Sequence, residues 1–231
     1  MIHLEKVCEE NFRDVICLKV AKEQEKYVAK NVYSLAQAWL YEEARPFAIL
    51  NDDIVIGFLM LDWDEDERTV GIWRLMIGEA YQQKGYGRET IKLVIEMVKK
   101  TGCFDSIHLD YVKDNLVARE LYASLGFYEN GEIEGEEVVM VLPITDTPKV
   151  GMLAADEEDI EQLLEYLTKD GESGFPLERD MYEAAKKEKI TRFTLYGETI
   201  GIAIDEHFWF RKKFASYEGQ AKETYTKKNC I

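Results

Sequence analysis

The feature that most restricts how this 231-residue chain can fold is a glycine-bearing loop set between an apolar strand and an amphipathic helix. Residues 69–77 (TVGIWRLMI) read as a strand and Gln82-Gln83-Lys84-Gly85-Tyr86-Gly87 as a tight loop. Residues 87–100 read as a helix whose Ile91, Val94, Ile95 and Val98 fall at i, i+3, i+4 and i+7. Strand, glycine loop and helix in that order predict a crossover unit, one helix joining two strands of a sheet. The same arrangement builds an anion site. Glycines admit positive φ and close approach, backbone N–H groups converge, and the helix turns its positive dipole end toward the loop. Lys84 and Arg88 would add charge-assisted contacts. By itself a G-x-G before a helix serves a tight turn as readily as an anion. Position 90 is Thr, so the loop departs from the dinucleotide fingerprint, and no Gly-Lys-Ser/Thr follows as a nucleotide loop of the Walker type requires.

Around this unit the periodicities alternate. IHLEKV reads as a strand, and a helix is expected from Asn11 to Glu25 on Phe12, Val15, Ile16 and Val20. A second helix follows with Ser34 as its cap and Gln37 three residues on. Strands at 47–50, 54–62 and 69–77 are separated by Asn51-Asp52-Asp53 and by Asp64-Glu65-Asp66-Glu67-Arg68, both read as hairpin turns. SIHLDYV is a strand, Ala118, Leu121, Tyr122 and Leu125 mark a helix ending at Gly126, and a last strand covers 136–142, closed by Pro143. The order β-α-α-β-β-β-α-β-α-β describes an α/β fold, a mixed sheet with helices on its faces.

ITDTPKVG suits a linker, which divides the chain into domains at 1–145 and 146–231. The second is a smaller α+β unit: VGMLAADEEDIEQLLEYL is strand then helix, ERDMYEAAKKEKI a helix, and TRFTLYGETIGIAIDEHFWF a hairpin. Its GETIGIAIDE echoes NDDIVIGFLMLD. That is the pattern of a truncated internal repeat, and equally of any hairpin about a polar turn. Phe208, Trp209 and Phe210, followed by Arg211, Lys212 and Lys213, read as an edge strand ahead of a solvated basic turn, with a partner surface as the alternative. The role of this unit stays open between covering a site, lengthening the sheet and forming a homodimer contact. His207 has no neighbours at ligand spacing, so no metal is expected.

The net charge of −16 disfavours nucleic acid and favours cationic small molecules, although acidity also serves solubility alone. Residues 211–231 carry six Lys or Arg against two Glu, which leaves the rest at −20. Cys8, Cys17, Cys103 and Cys230 have no metal spacing, the start has no leader pattern, and no apolar run reaches the ~20 residues of a membrane helix. A cytoplasmic protein without membrane contact is expected.

Gln82-Gln83-Lys84-Gly85-Tyr86-Gly87 resembles the Gln/Arg-x-x-Gly-x-Gly/Ala loop of the GCN5-related N-acetyltransferases. Asn115, Ala118, Tyr122 and Gly126-Phe127 stand as that superfamily's Asn-x-x-Ala-x-x-x-Tyr-x-x-x-Gly-Phe. The resemblance covers about residues 1–145 and implies acetyl-CoA as co-substrate. Its pyrophosphate would lie on Gln82–Gly87 with Arg88, its pantetheine would pair with Leu75, Met76 and Ile77, and Asn115 would meet the arm. Tyr122 falls where the superfamily keeps its general acid for the departing sulfur, although its helical stripe would equally place it in the core.

Transfer to an amine also requires a neutral nitrogen, and an alkyl amine is only about one part in a thousand neutral at pH 7. Related polyamine enzymes often have a Glu on the fourth strand; Trp73 and Arg74 stand in that neighbourhood here, so that assignment does not carry over. Glu23, Asp62, Asp64 and Asp110 remain as base candidates. The stretch LKVAKEQEKYVAKNVYSLAQAWLYEEARPFAIL, with WRLMIG and YQQKGYG, resembles bacterial spermine/spermidine acetyltransferases. This implies a polyamine groove, for which Glu23, Tyr33, Asp62 and Asp110 are the expected substrate contacts. Glu25, Glu42, Glu43, Tyr27 and Trp39 offer further carboxylates and rings. An aminoglycoside, an amino sugar or a peptide amino group would use the same loop, and a non-catalytic acyl-CoA-binding module is the alternative of another class.

Overall fold

The computed structural model describes residues 1–155, 183–184, 186–187, 190–204 and 207–229. It divides into two compact units, 1–65 with 69–146 and 66–68 with 147–231.

In the first unit the elements run β1 (Ile2–Lys6), α1 (Glu9–Cys17), α2 (Asn31–Leu40), β2 (Ala44–Asn51), β3 (Ile54–Asp64), β4 (Thr69–Ile77), α3 (Tyr86–Thr101), β5 (Ser106–Val112), α4 (Leu116–Ala123), β6 (Tyr128–Glu134) and β7 (Glu137–Pro143). The seven strands form one mixed sheet in the order β1-β2-β3-β4-β5-β7-β6. β4 and β5 are parallel, joined by α3 as the glycine-loop unit predicts, and the other neighbours are antiparallel. β3 reads as the nearly unbroken apolar run IVIGFLML because both of its faces are covered. On one face Ile56, Leu59 and Leu61 pack with Ile91, Val94 and Val98 of α3 and with Tyr122 of α4. On the other, Phe58 and Met60 pack with Val15 of α1 and with Leu35 and Ala38 of α2.

Three local expectations give way to tertiary contacts. α1 stops at Cys17 and does not run to Glu25. Leu18 is extended, and the carbonyl of Lys19 accepts the N–H of Glu79 at 2.8 Å, so the loop after β4 captures the chain before the helix can continue. Ser34 is not a cap. α2 starts at Asn31, whose buried amide donates to the Val15 carbonyl at 2.8 Å and approaches the Met76 sulfur at 3.7 Å, fastening α1, α2 and β4 together. β6 was not anticipated. Its sequence, YENGEIE, is almost entirely polar because it forms the sheet edge.

In the second unit β8 (Gly151–Ala154), β9 (Ile190–Leu195), β10 (Glu198–Ile204) and β11 (His207–Phe210) form an antiparallel sheet in the order β11-β10-β9-β8, followed by α5 (Glu218–Asn229). The β9–β10 hairpin turns on Tyr196 and Gly197, both at positive φ, as a two-residue hairpin loop requires. β11 takes the edge position expected for Phe208–Phe210. Phe193, Phe208 and Phe210 stack and meet Tyr225 of α5. The two helices expected within 155–189 lie outside the described residues, apart from isolated positions.

Candidate active site

The site is built where two parallel strands part. β4 and β5 are paired at Thr69–Ser106, Val70–Ile107 and Gly71–His108, and their ladder ends there. β4 continues along β3 as far as Ile77, with a bulge at Trp73, since Leu61 faces Ile72 and Met60 faces Arg74. The extra residue breaks the two-residue alternation. Ile72, Leu75 and Ile77 stay on the face of α3, while Trp73 and Met76 join that of α1 and α2. Beyond Gly71 the β5 side of β4 borders a cleft of ≈ 910 Å³, lined by residues 72–77, by Asp110–Val112 of β5, by the glycine loop and by Asn115 and Tyr122 of the following segment.

At one end of the cleft, Gln83 and Gly85 have positive φ, of 59° and 84°, and Gly85 is the N-cap of α3 with no side chain capping it. The first-turn N–H groups are therefore presented around Tyr86 and Gly87, both of which line the cleft. Gly85 is required by its backbone angle. Gly87 is not: a methyl there would sit at ordinary contact from Leu121 (3.7 Å) and Ile77 (3.9 Å). Gln82 braces the loop, donating to the Ile77 carbonyl at 2.9 Å and to Gln24 Oε1 at 2.7 Å. Lys84 Nζ lies on the Ala80 carbonyl (3.2 Å) and over the Tyr81 ring, and Arg88 donates to Ser124 Oγ at 2.6 Å. Both charges thus flank the loop with protein contacts of their own.

Asn115 caps α4, its Oδ1 accepting the Ala118 N–H at 3.3 Å. Its Nδ2 has no partner among the described residues. Seven positions on, Tyr122 is 9% exposed and packs on Phe127, yet lines the cleft. Among the described residues its hydroxyl has no hydrogen-bond partner, and burial pushes its pKa up to about 12. The phenol therefore keeps its proton throughout the neutral range. Tyr111, on the neighbouring β5, donates to Glu129 at 2.8 Å, and Glu129 also accepts from Arg119 Nε at 2.8 Å, which ties β5, α4 and β6 around the site.

The opposite flank is a segment without regular helix beyond a short turn at residues 22–24. It is fastened by the Gln24–Gln82 bond and by Lys26 Nζ on Asp114 at 2.6 Å. Of the expected amine contacts, Asp110 lines the cleft with Glu25 and Tyr27, whereas Glu23, Tyr33, Asp62, Asp64, Trp39, Glu42 and Glu43 lie outside its lining. Asp62 is half-buried on β3, and burial, with Asp64 and Glu43 nearby, raises its pKa against the opposing effect of Arg45. Sequence reasoning missed Glu137. It enters the lining because β7 folds back beside β5 with Glu137 opposite Val112, a pairing that no local pattern announces.

Residues 9–127 match the model of the acetyltransferase (GNAT) family. The chain belongs to that family. The acetyltransferase is 28% identical over 147 residues to a spermine/spermidine N(1)-acetyltransferase of Bacillus subtilis (strain 168), covering 60% of this chain and 97% of the relative. It is 27% identical, with the same coverage, to a probable spermine N(1)-acetyltransferase of Bacillus subtilis subsp. natto (strain BEST195). Among solved structures it is similar to spermidine N-acetyltransferase from Vibrio cholerae in complex with CoA and spermine, with a TM-score of 0.51, 19% identity, 62% of this chain and 95% of that one. A domain from Methanocaldococcus jannaschii matches with a TM-score of 0.51, 16% identity, 62% of this chain and 98% of that one. These two structural likenesses establish the fold.

Proposed function

We propose that the enzyme transfers an acetyl group from acetyl-CoA to a primary amine of a polyamine. The observation that carries this reading is the parting of β4 and β5, which leaves a strand edge and a glycine-capped helix start on one cleft with a protonated tyrosine whose hydroxyl has no partner among the described residues. The edge at Leu75–Ile77 suits the amide-bearing arm, and an N–H there would polarise the thioester carbonyl. Gln83, Gly85, Tyr86 and Gly87 suit the pyrophosphate, with Gln82, Lys84 and Arg88 holding the loop, and the Asn115 amide suits the arm. The neutral amine attacks the acetyl carbon, a C–N bond forms and the C–S bond breaks. The Tyr122 hydroxyl donates toward the departing sulfur, and the nitrogen's second proton replaces what the sulfur takes.

The polyamine assignment rests on the names of the Bacillus relatives and on charge. The lining holds Glu25, Asp110 and Glu137 against Lys26 and Arg74, and Lys26 is engaged by Asp114. Asp110 is our choice for receiving the amine's proton, directly or through water. Thiol release from acetyl-CoA, measured over spermine, spermidine, short diamines, an aminoglycoside, an amino sugar and a peptide, tests the reading. Saturable turnover at low polyamine concentration is expected. Turnover confined to one of the other amines would overturn the substrate, and acetyl-CoA binding without thiol release from any amine would return the chain to a binding module.

A further inference from the structure

We propose that Arg74 lowers the basicity of the acceptor nitrogen facing the thioester, so that the cleft is supplied with a neutral amine without a carboxylate base on β4. This rests on the acetyl-transfer reading above. Arg74 lies on the bulged stretch of β4, half-buried in the cleft lining. Its contacts among the described residues are neutral: Nη1 donates to the Trp73 carbonyl at 2.7 Å, Nη2 reaches Gln37 Oε1 at 3.4 Å, and the guanidinium lies 5.5 Å from the Trp73 ring. Among the described residues its buried Nε has no partner, and no carboxylate comes within ion-pair distance. The groups that face it, Glu137 from β7, Tyr33 from α2 and Asp110 from β5, act only at longer range. Burial lowers the guanidinium's own pKa, but from so high a value that the charge persists.

A positive charge without an ion-pair partner among the described residues disfavours a second one beside it, while Glu137 and Asp110 act on both at longer range. For an ammonium roughly 7 Å away in a medium of effective dielectric about 20, the Arg74 charge taken alone lowers the amine pKa by about one to two units. The neutral fraction at pH 7 then rises about 10- to 100-fold. Asp110 and Glu137 lie on one face of the β5–β7 pair as diagonal neighbours, Asp110 opposite Val139 and Glu137 opposite Val112. On a polyamine Glu137 holds an ammonium group remote from the thioester, while Arg74 discharges the one beside it. The released proton passes to water or Asp110, and the freed lone pair attacks.

The test is the acidic limb of kcat against pH, which reports ionisation in the ternary complex. With spermidine, the wild-type limb is expected about one to two units below the amine's own solution pKa. Arg74→Gln should move it up by that amount, losing about 10- to 100-fold at pH 7 and recovering near pH 10. Arg74→Lys, which keeps the charge, should stay near wild type. An acceptor amine whose own pKa is near 7 should feel Arg74→Gln less than about threefold. A wild-type limb at the solution pKa, an unmoved limb in Arg74→Gln, or an Arg74→Lys limb displaced like that of Arg74→Gln would each overturn the proposal. The wild-type measurement decides even where Arg74→Gln fails to fold. Turnover with an insensitive limb removes Arg74's role alone, whereas no thiol release with any amine removes the acetyl-transfer reading and this proposal together.

Discussion

Tyr122→Phe separates chemistry from packing at the residue on which the proposed mechanism depends most. The phenol's pKa of about 12 stands about 3.5 units above that of an ordinary thiol. Handing the whole proton to a free thiolate would be uphill by about 5 kcal/mol, so on the proposed mechanism Tyr122 would act chiefly as a hydrogen-bond donor while negative charge grows on sulfur. A hydrogen bond to a charged group contributes about 1.5–3 kcal/mol, and removing it should lower kcat by about 10- to 150-fold. KM for acetyl-CoA should stay within about twofold. The hydroxyl has no partner among the described residues, so its loss should leave stability unchanged or raise it by up to about 1 kcal/mol, the ring keeping its packing on Phe127. Steady-state kinetics and urea unfolding on the same preparations decide it. Unchanged turnover, or a rate loss that merely follows a loss of stability, would refute the reasoning.

The same residue links stability to alkaline pH. The folded state holds the Tyr122 proton to about pH 12 and the unfolded chain only to about pH 10. Its contribution is therefore intact below pH 10 and declines as pH rises through 10 to 12, by about 3 kcal/mol in all. The difference between wild type and Tyr122→Phe in urea unfolding at pH 9 and pH 11.5 should show this slope. Gly85→Ala forces a side chain to φ +84° and should cost about 1–2 kcal/mol even in the free enzyme. Gly87→Ala has room for its methyl and should leave thermal unfolding unmoved while weakening acetyl-CoA, as calorimetry would show. Gly57→Ala drives Cβ to 2.6 Å from the Met76 carbonyl between two isoleucine methyls, and should lower stability by about 1–3 kcal/mol in urea. Gln82→Ala removes the bonds to Ile77 and Gln24, each contributing about 1 kcal/mol, and should lower stability by about 1–2 kcal/mol in urea while weakening acetyl-CoA several-fold.

What the sequence determined by itself was local and periodic. The glycine loop, the stripe Ile91–Val94–Val98, the apolar run of β3 and the spacing of Asn115, Tyr122 and Gly126-Phe127 depend on backbone angles and helical repeat, and each was legible without a neighbour. Tertiary structure decided whatever depends on two distant segments meeting. α1 ends at Cys17 because Glu79 binds Lys19, and Asn31 works as a clamp because Val15 and Met76 come beside it. Asp110 shares the cleft with Glu137 because β7 runs beside β5, and Glu23, Tyr33 and Asp62, on other elements, lie outside the lining. The loop that announced the fold could not announce the cleft. A cleft exists because β4 and β5 stop pairing after Gly71, and where a ladder ends is set by twist and bulge across neighbouring strands and not by either strand's own residues.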